Sequence, residues 1–231
     1  MYLMIQRVII TSVFGILFAA LAFGQKALPT PTPAVRESVK ANARPAPTPE
    51  IAKSEPFDKA DVKTMAAQCV TLDTDAGVIV FEMFPESAPE SVRNFLNLVA
   101  TGVLDTTTFS RVVPGFVIQG GDLYSREGKV TNAIGLRARK NIPDEPNKIL
   151  HERGIVSMAR GDEPNSASTH FFILVDSASS LDGKFAAFGR VTKGMEIVDA
   201  INKMEVEGDK PVKSVRIKKA SVAVCSSPTT Q

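Results

Sequence analysis

The sequence predicts a mainly β fold of short antiparallel strands, with two helices packed against it. Short apolar runs bounded by glycine, proline, asparagine and aspartate recur through the carboxy-terminal part of the chain. Only two segments carry the 3.6-residue period of an amphipathic helix. Strands that do not alternate regularly with helices argue against a parallel α/β sheet. This pattern alone leaves a closed barrel and a sandwich equally open.

The elements follow in order. Residues 69–74 and 78–84, joined by Asp75-Ala76-Gly77, read as a β-hairpin. Pro89 then opens a helix. Its apolar stripe is Val92, Phe95, Leu96 and Val99, and Gly102 stands where a helix cap belongs. Short strands are expected at 116–119, 155–159, 171–175 and 185–191. A second helix presents Ile197, Val198, Ile201 and Met204 on one side. In the last strand Val215 and Ile217 have odd parity, whereas Ala220, Val222 and Val224 have even parity. A period-2 strand keeps both sets on one face only with an extra residue, which places a bulge or break at Lys218-Lys219.

Ahead of this domain the chain changes character. Arg7 precedes an uncharged, mostly apolar run at 8–23, and Ala22-Phe23-Gly24 offers small residues for a signal peptidase. Residues 1–24 are therefore expected to be a signal peptide, or a membrane anchor if left uncut. The run is short of the roughly 20 residues that span a bilayer comfortably. Seven of the fifteen prolines fall between Pro29 and Pro56. Thr-Pro alternation removes backbone donors and favours solvated polyproline II, so 25–64 is expected to be a disordered linker. The folded domain is expected at 65–231, outside the cytoplasm.

The 231 residues carry a net charge of +2, so no strong field directs the protein to nucleic acid or an anionic surface. His151 and His170 are the only histidines, and no HExxH or paired CxxC spacing suggests a metal. Asp144, Glu145, His151 and Glu152 read as solvated loop residues rather than ligands. Gly-x-Ser-x-Gly and phosphate-binding Gly-rich elements are absent, and no cofactor is expected.

The stretch from Phe109 to Asp122, FSRVVPGFVIQGGD, sets Arg111 and Gln119 among apolar residues and ends in Gly-Gly-Asp turn chemistry. An arginine is seldom buried unpaired, so Arg111 is expected to line a cleft. This stretch resembles the active-site signature of cyclophilins, the peptidyl-prolyl cis-trans isomerases. Ser157-Met158-Ala159, followed by DEPNSASTHFFI at 162–173, is similar to a second signature of that family. Leu181-Asp182-Gly183-Lys184 and Phe188-Gly189-Arg190-Val191 resemble a third.

The resemblance implies a closed eight-stranded antiparallel barrel capped by two α-helices. It also implies X–Pro isomerisation without a cofactor, by a chain that need only be a monomer, in proline-containing polypeptides folding outside the cytoplasm. The same fold could instead serve as a proline-peptide-binding chaperone module with little turnover. By the resemblance, Arg111 and Gln119 are catalytic. Phe116, Val117, Phe172 and Leu181 form the proline pocket, with Phe185 and His170 at the substrate surface, and Ala159, Arg160 and Gly161 form the edge along which the peptide lies. Ser110, His170, Ser180 and Phe185 depart from the commonest family residues. The last two lie on the cyclosporin-binding surface, which implies weak inhibition by that drug. Barrel topology would also bring Cys69 and Cys225, the only cysteines, close enough for a disulfide.

Overall fold

The computed structural model describes residues 54–225. The expected signal peptide and most of the expected linker fall outside the described residues. The remainder of that linker, 54–64, belongs to the folded domain. The Phe57 N–H donates to the Asn97 side chain at 2.7 Å, and Glu55 pairs with the buried Arg137 at 2.8 Å. Asp61 caps α1 (Val62–Ala66) by accepting from the Thr64 N–H. The fold thus starts earlier than 65 because these residues are held by partners distant in sequence.

Ten strands follow among the described residues: β1 (Gln68–Thr74), β2 (Gly77–Met83), β3 (Arg111–Val113), β4 (Val117–Gly120), β5 (Ile155–Met158), β6 (Phe171–Leu174), β7 (Ala187–Lys193), β8 (Val206–Glu207), β9 (Lys210–Pro211) and β10 (Ile217–Val224). Eight form one antiparallel sheet in the order β10-β1-β2-β7-β5-β6-β4-β3, and β8 and β9 form a separate small hairpin. The register of β1 against β10 slips so that Asp73 faces Lys219 while Thr74 faces Ile217. Lys218 is therefore the extra residue that reconciles the two parities of the last strand.

The sheet curls into a half-barrel, so the fully closed barrel overstates the observed closure. The sheet's edge strands, β3 and β10, do not form a continuous ladder with each other. The segment leading into β3 joins β10 through an isolated Thr108–Arg216 bridge and the Phe109 N–H to Val215 carbonyl bond of 2.9 Å. Cys69 and Cys225 form a disulfide with a Cα–Cα distance of 4.9 Å, at the end of the β1–β10 pair.

Among the described residues there are four α-helices rather than two: α1, α2 (Pro89–Ala100), α3 (Asn132–Ala138) and α4 (Met195–Asn202). The two periodic ones, α2 and α4, correspond to the expected pair. No helix of the described residues is long and apolar enough to cross a membrane. Ala88 offers α2 no side-chain cap, and the Glu145 carboxylate does so from a distant loop. It accepts from the N–H groups of Glu90 at 2.9 Å and Ser91 at 2.7 Å. Glu145 therefore has a structural partner, which corrects its reading as a solvated loop residue, and the anionic cap suits the helix's N-terminal partial charge. Phe95 of α2 enters the main core, with ring centroids 5.6 Å from Phe81 and 5.0 Å from both Phe171 and Phe188.

Candidate active site

Strands β4, β5 and β6 are buried on both faces, and this double burial builds the site. Val112, Ile118, Ile173 and Val156 lie opposite one another across β3, β4, β6 and β5 and fill the main core. Residues of the other parity must emerge on the second face. There Arg111 faces Gln119, Gln119 faces Phe172 and Phe172 faces Ser157, making one row across the four strands. Val113, Val117 and Leu174 form the next row. A second, smaller apolar cluster covers this face, with Phe116, Ala159, Leu181 and Phe185 packed at its margin.

A cleft of about 170 Å³ opens in this cluster. It is lined by Arg111, Phe116, Val117, Gln119, Ala159, Arg160, Phe172, Leu181 and Phe185, so the structure brings together all the expected site residues except Gly161 and His170. Gly161 lies beyond the end of β5, and its N–H is already donated to Ser166 Oγ at 3.0 Å. His170 shares the face of Phe172 but lies one row beyond it, where its carbonyl accepts from the Ala159 N–H at 3.0 Å. Burial lowers the proton affinity of the His170 imidazole, and the nearby Asp122 carboxylate partly opposes that shift.

Phe172 is 5% exposed and forms the floor, and Phe185 meets it edge-on at 5.9 Å. The Arg160 guanidinium lies 5.2 Å above the Phe185 ring and donates to the Gly161 carbonyl, bracing one rim. On the opposite rim the Arg111 Nε donates to Asp209 Oδ2 at 2.7 Å. Its terminal nitrogens make no hydrogen bond among the described residues, and neither does the Gln119 side-chain amide. The cleft therefore joins an apolar socket to free N–H donors and one amide acceptor.

One glycine is required by this geometry, Gly121 of the Gly120-Gly121-Asp122 turn. A Cβ on Gly121, at φ +91°, would lie 2.1 Å from the Thr169 carbonyl oxygen. Only glycine lets the end of β4 pass this close to the segment entering β6.

Sequence reasoning missed Asp209 and misplaced His151. Asp209 sits in the turn between β8 and β9 and is far from Arg111 in sequence. Its carbonyl accepts from the Val112 N–H at 2.7 Å, which ties the hairpin to the open edge of β3 and sets the carboxylate beside Arg111. No local motif signals that pairing. His151 is not a solvated loop residue: it is 1% exposed and packs behind the cleft floor. Its loop position and its acidic neighbours Glu145 and Glu152 concealed a tertiary role.

Fold and cleft together define a half-barrel with an apolar socket beside polar groups, and none of the side chains lining the cleft is a nucleophile. Comparison with known proteins is specific. Residues 69–222 match the model of the cyclophilin type peptidyl-prolyl cis-trans isomerase/CLD family. A peptidyl-prolyl cis-trans isomerase of Dictyostelium discoideum is 38% identical over 159 residues, covering 68% of this chain and 99% of the relative. Peptidyl-prolyl cis-trans isomerase A of Dickeya dadantii is 40% identical over 152 residues, covering 63% and 77%. Among solved structures, a Cryptosporidium parvum cyclophilin type isomerase, crystallised in the presence of the dipeptide Ala-Pro, aligns with a TM-score of 0.59. It is 30% identical, with 69% of this chain and 99% of that one covered. The chain belongs to the cyclophilin family of peptidyl-prolyl cis-trans isomerases.

Proposed function

We propose that the cleft isomerises X–Pro bonds in polypeptides that fold outside the cytoplasm, with Arg111 as the principal catalytic group. Rotation about a peptide bond costs roughly 18–20 kcal/mol because the twisted amide loses its resonance. Both planar isomers of X–Pro are accessible, so a catalyst needs only to bind the twisted state better than either. Phe116, Val117, Phe172 and Leu181 supply a socket for the pyrrolidine ring. The ring is held while the preceding carbonyl turns. Arg111 then donates to the lone pair that returns to the twisted proline nitrogen, and Gln119 bonds the substrate backbone. Asp209 keeps Nε occupied, so the guanidinium is oriented before the substrate arrives, which is how fixed charges lower a barrier.

The observation that carries this reading is the placement of free Arg111 and Gln119 donors over one apolar socket. A protease-coupled assay on a proline peptide tests it. Arg111→Ala is expected to lower kcat/KM by about a hundredfold, the scale of losing one preorganised donor. Equal rates for wild type and variant would remove the role of Arg111. Tight peptide binding by a wild type without turnover would favour the binding-module alternative.

The extracytoplasmic setting rests on the apolar leader, its Ala22-Phe23-Gly24 site and the pairing of the only two cysteines. Cell fractionation with amino-terminal sequencing tests it. A mature chain beginning at Gln25 outside the cytoplasm supports export, and a cytoplasmic chain beginning at Met1 refutes it.

A further inference from the structure

Among the described residues, His151 is a fully buried titratable group behind the cleft for which the isomerase chemistry has no use. Its Nδ1 lies 3.2 Å from Asp182 Oδ1, and its Nε2 lies 3.0 Å from Ser157 Oγ. The same Asp182 oxygen accepts from the His151 backbone N–H at 2.7 Å. A carboxylate only accepts, so Nδ1 carries the proton, and Nε2 is left to accept from the Ser157 hydroxyl. Burial lowers the proton affinity of the imidazole, and the hydrogen bond and charge of Asp182 oppose that shift.

Serine, histidine and aspartate in this order resemble a hydrolase triad, but Ser157 is fully buried. It sits beside Phe172 in the sheet and offers a substrate no approach. The arrangement works instead as a clamp. The loop that carries Leu181 and Phe185 has few ties to the sheet. Among the described residues, the hydrogen bonds joining 178–184 to the rest of the fold go to His151, apart from a 3.5 Å bond from Arg160 to the Lys184 carbonyl. The Ala178 N–H donates to the His151 carbonyl at 2.7 Å, and Asp182 takes the two bonds already described. The imidazole also lies nearly parallel to the Phe172 ring, centroids 6.4 Å apart, and edge-on to Phe185 at 6.5 Å.

We propose that His151 is a positioning residue for the isomerase: its two ring nitrogens clamp the Leu181–Phe185 loop to β5 and hold Phe172 from behind, so that the socket keeps the shape that grips proline. This rests on the isomerase reading of the cleft. An ordinary core residue would be replaceable by volume, whereas a clamp is replaceable only by hydrogen-bond geometry.

Three substitutions separate these roles. His151→Asn restores a donor at the Nδ1 position and keeps the tie to Asp182. His151→Gln restores only the contact with Ser157, and His151→Phe fills the volume with neither bond. The expected order of kcat/KM per folded molecule is wild type, then Asn and Gln, each missing one of the two ties, then Phe, which is lower by about tenfold, as misplacement of a substrate-holding group predicts. Most of that loss is expected in KM.

Asp182→Ala, at a partly exposed side chain, tests the clamp without disturbing the core. It should lower kcat/KM at least as far as His151→Gln, because the acceptor of the His151 backbone N–H is lost as well, and His151→Gln should add nothing to it. Wild-type kcat/KM in both Asp182→Ala and His151→Gln overturns the proposal, as does an order that follows side-chain volume. A wild type without turnover overturns the isomerase reading instead. The same variants are then scored by calorimetric affinity for a proline peptide, where equal affinities overturn the clamp.

Discussion

Breaking the Cys69–Cys225 disulfide should destabilise the domain without touching its chemistry. The two cysteines are 156 residues apart in sequence, so the bridge closes nearly the whole described domain into one loop. In the unfolded chain such a cross-link removes conformational freedom that grows with the logarithm of loop length. For a loop of this size the chain-entropy relation gives about 5 kcal/mol at 25 °C, the upper end of what native disulfides contribute. The observed loss should be somewhat smaller, about 3–5 kcal/mol, because a reduced denatured ensemble retains some compactness. The folded state itself loses little. Seven residue pairs hold β1 to β10, and the Cys225 N–H to Ala67 carbonyl bond of 2.9 Å is independent of the sulfurs. Urea unfolding of the wild type and of the Cys69→Ser/Cys225→Ser double variant gives both numbers needed. The midpoint should fall, and the m-value should rise because an uncross-linked denatured chain exposes more surface. Thermal unfolding should shift down by about 10 °C or more for a domain of this size. Isomerase kcat/KM below the transition should be unchanged, since the cleft is built on β3, β4, β6 and β5. A loss under about 1 kcal/mol with an unchanged m-value would refute the loop-entropy reasoning. A drop in kcat/KM of the folded variant would refute the separation of staple and site.

Three further outcomes follow from named residues. Burial holds the proton affinities of both His151 and His170 below the ordinary histidine value of 6.5, so the folded state binds fewer protons than the unfolded one. Their contribution is complete above about pH 6.5 and is lost as pH falls towards the folded values, by at most about 1.4 kcal/mol per pH unit for each histidine. The lowered carboxyl groups of Asp58 and Asp199 act only nearer pH 4, so a thermal midpoint that stays flat from pH 7 to 5 would contradict the histidine assignment. Gly121→Ala places a methyl against the Thr169 carbonyl at a positive φ, and should cost about 3 kcal/mol or more in urea unfolding; a loss under about 1 kcal/mol would show that the turn relaxes freely. Cyclosporin should inhibit weakly, because Ser180 and Phe185 stand where the family's drug-binding surface commonly has tryptophan and histidine; nanomolar inhibition of the purified domain would refute this.

The parts of the fold legible in sequence are those whose signals are local and repetitive. The stripe on α2, the alternation along β1 and β2 and the split parity of β10 are patterns a few residues long, and the packed structure keeps them. The odd Lys218 is a clear case, because period-2 geometry leaves no other way to bury both Ile217 and Ala220. Illegible were features that exist only through distant pairs. Proline content extended the linker to residue 64, yet Glu55 is held by Arg137 and Phe57 by Asn97. The seven-residue α3 is too short to establish a period. His151 and Asp209 carry no motif of their own, and each gains its role from a hydrogen bond across at least thirty-one positions of chain. The cleft residues were found through the family's ordered motifs rather than periodicity, since strands buried on both faces show no alternation to separate floor from core.

That double burial also accounts for the kind of site the fold presents. A sheet buried on one face would offer the other to water, and an apolar socket there would be a patch without walls. Here the second face is roofed by the 178–185 loop and the Arg160 rim, leaving a cleft of about 170 Å³. Phe172 is almost fully buried, whereas the Arg111 side chain is 41% exposed. A half-exposed cation is screened and weak as a bare charge. In the proposed mechanism its use lies in hydrogen-bond direction more than in field strength, and Asp209 supplies that direction by occupying Nε. The ion pair that would mark a structural arginine occupies Nε alone and leaves the two terminal nitrogens without a hydrogen bond among the described residues.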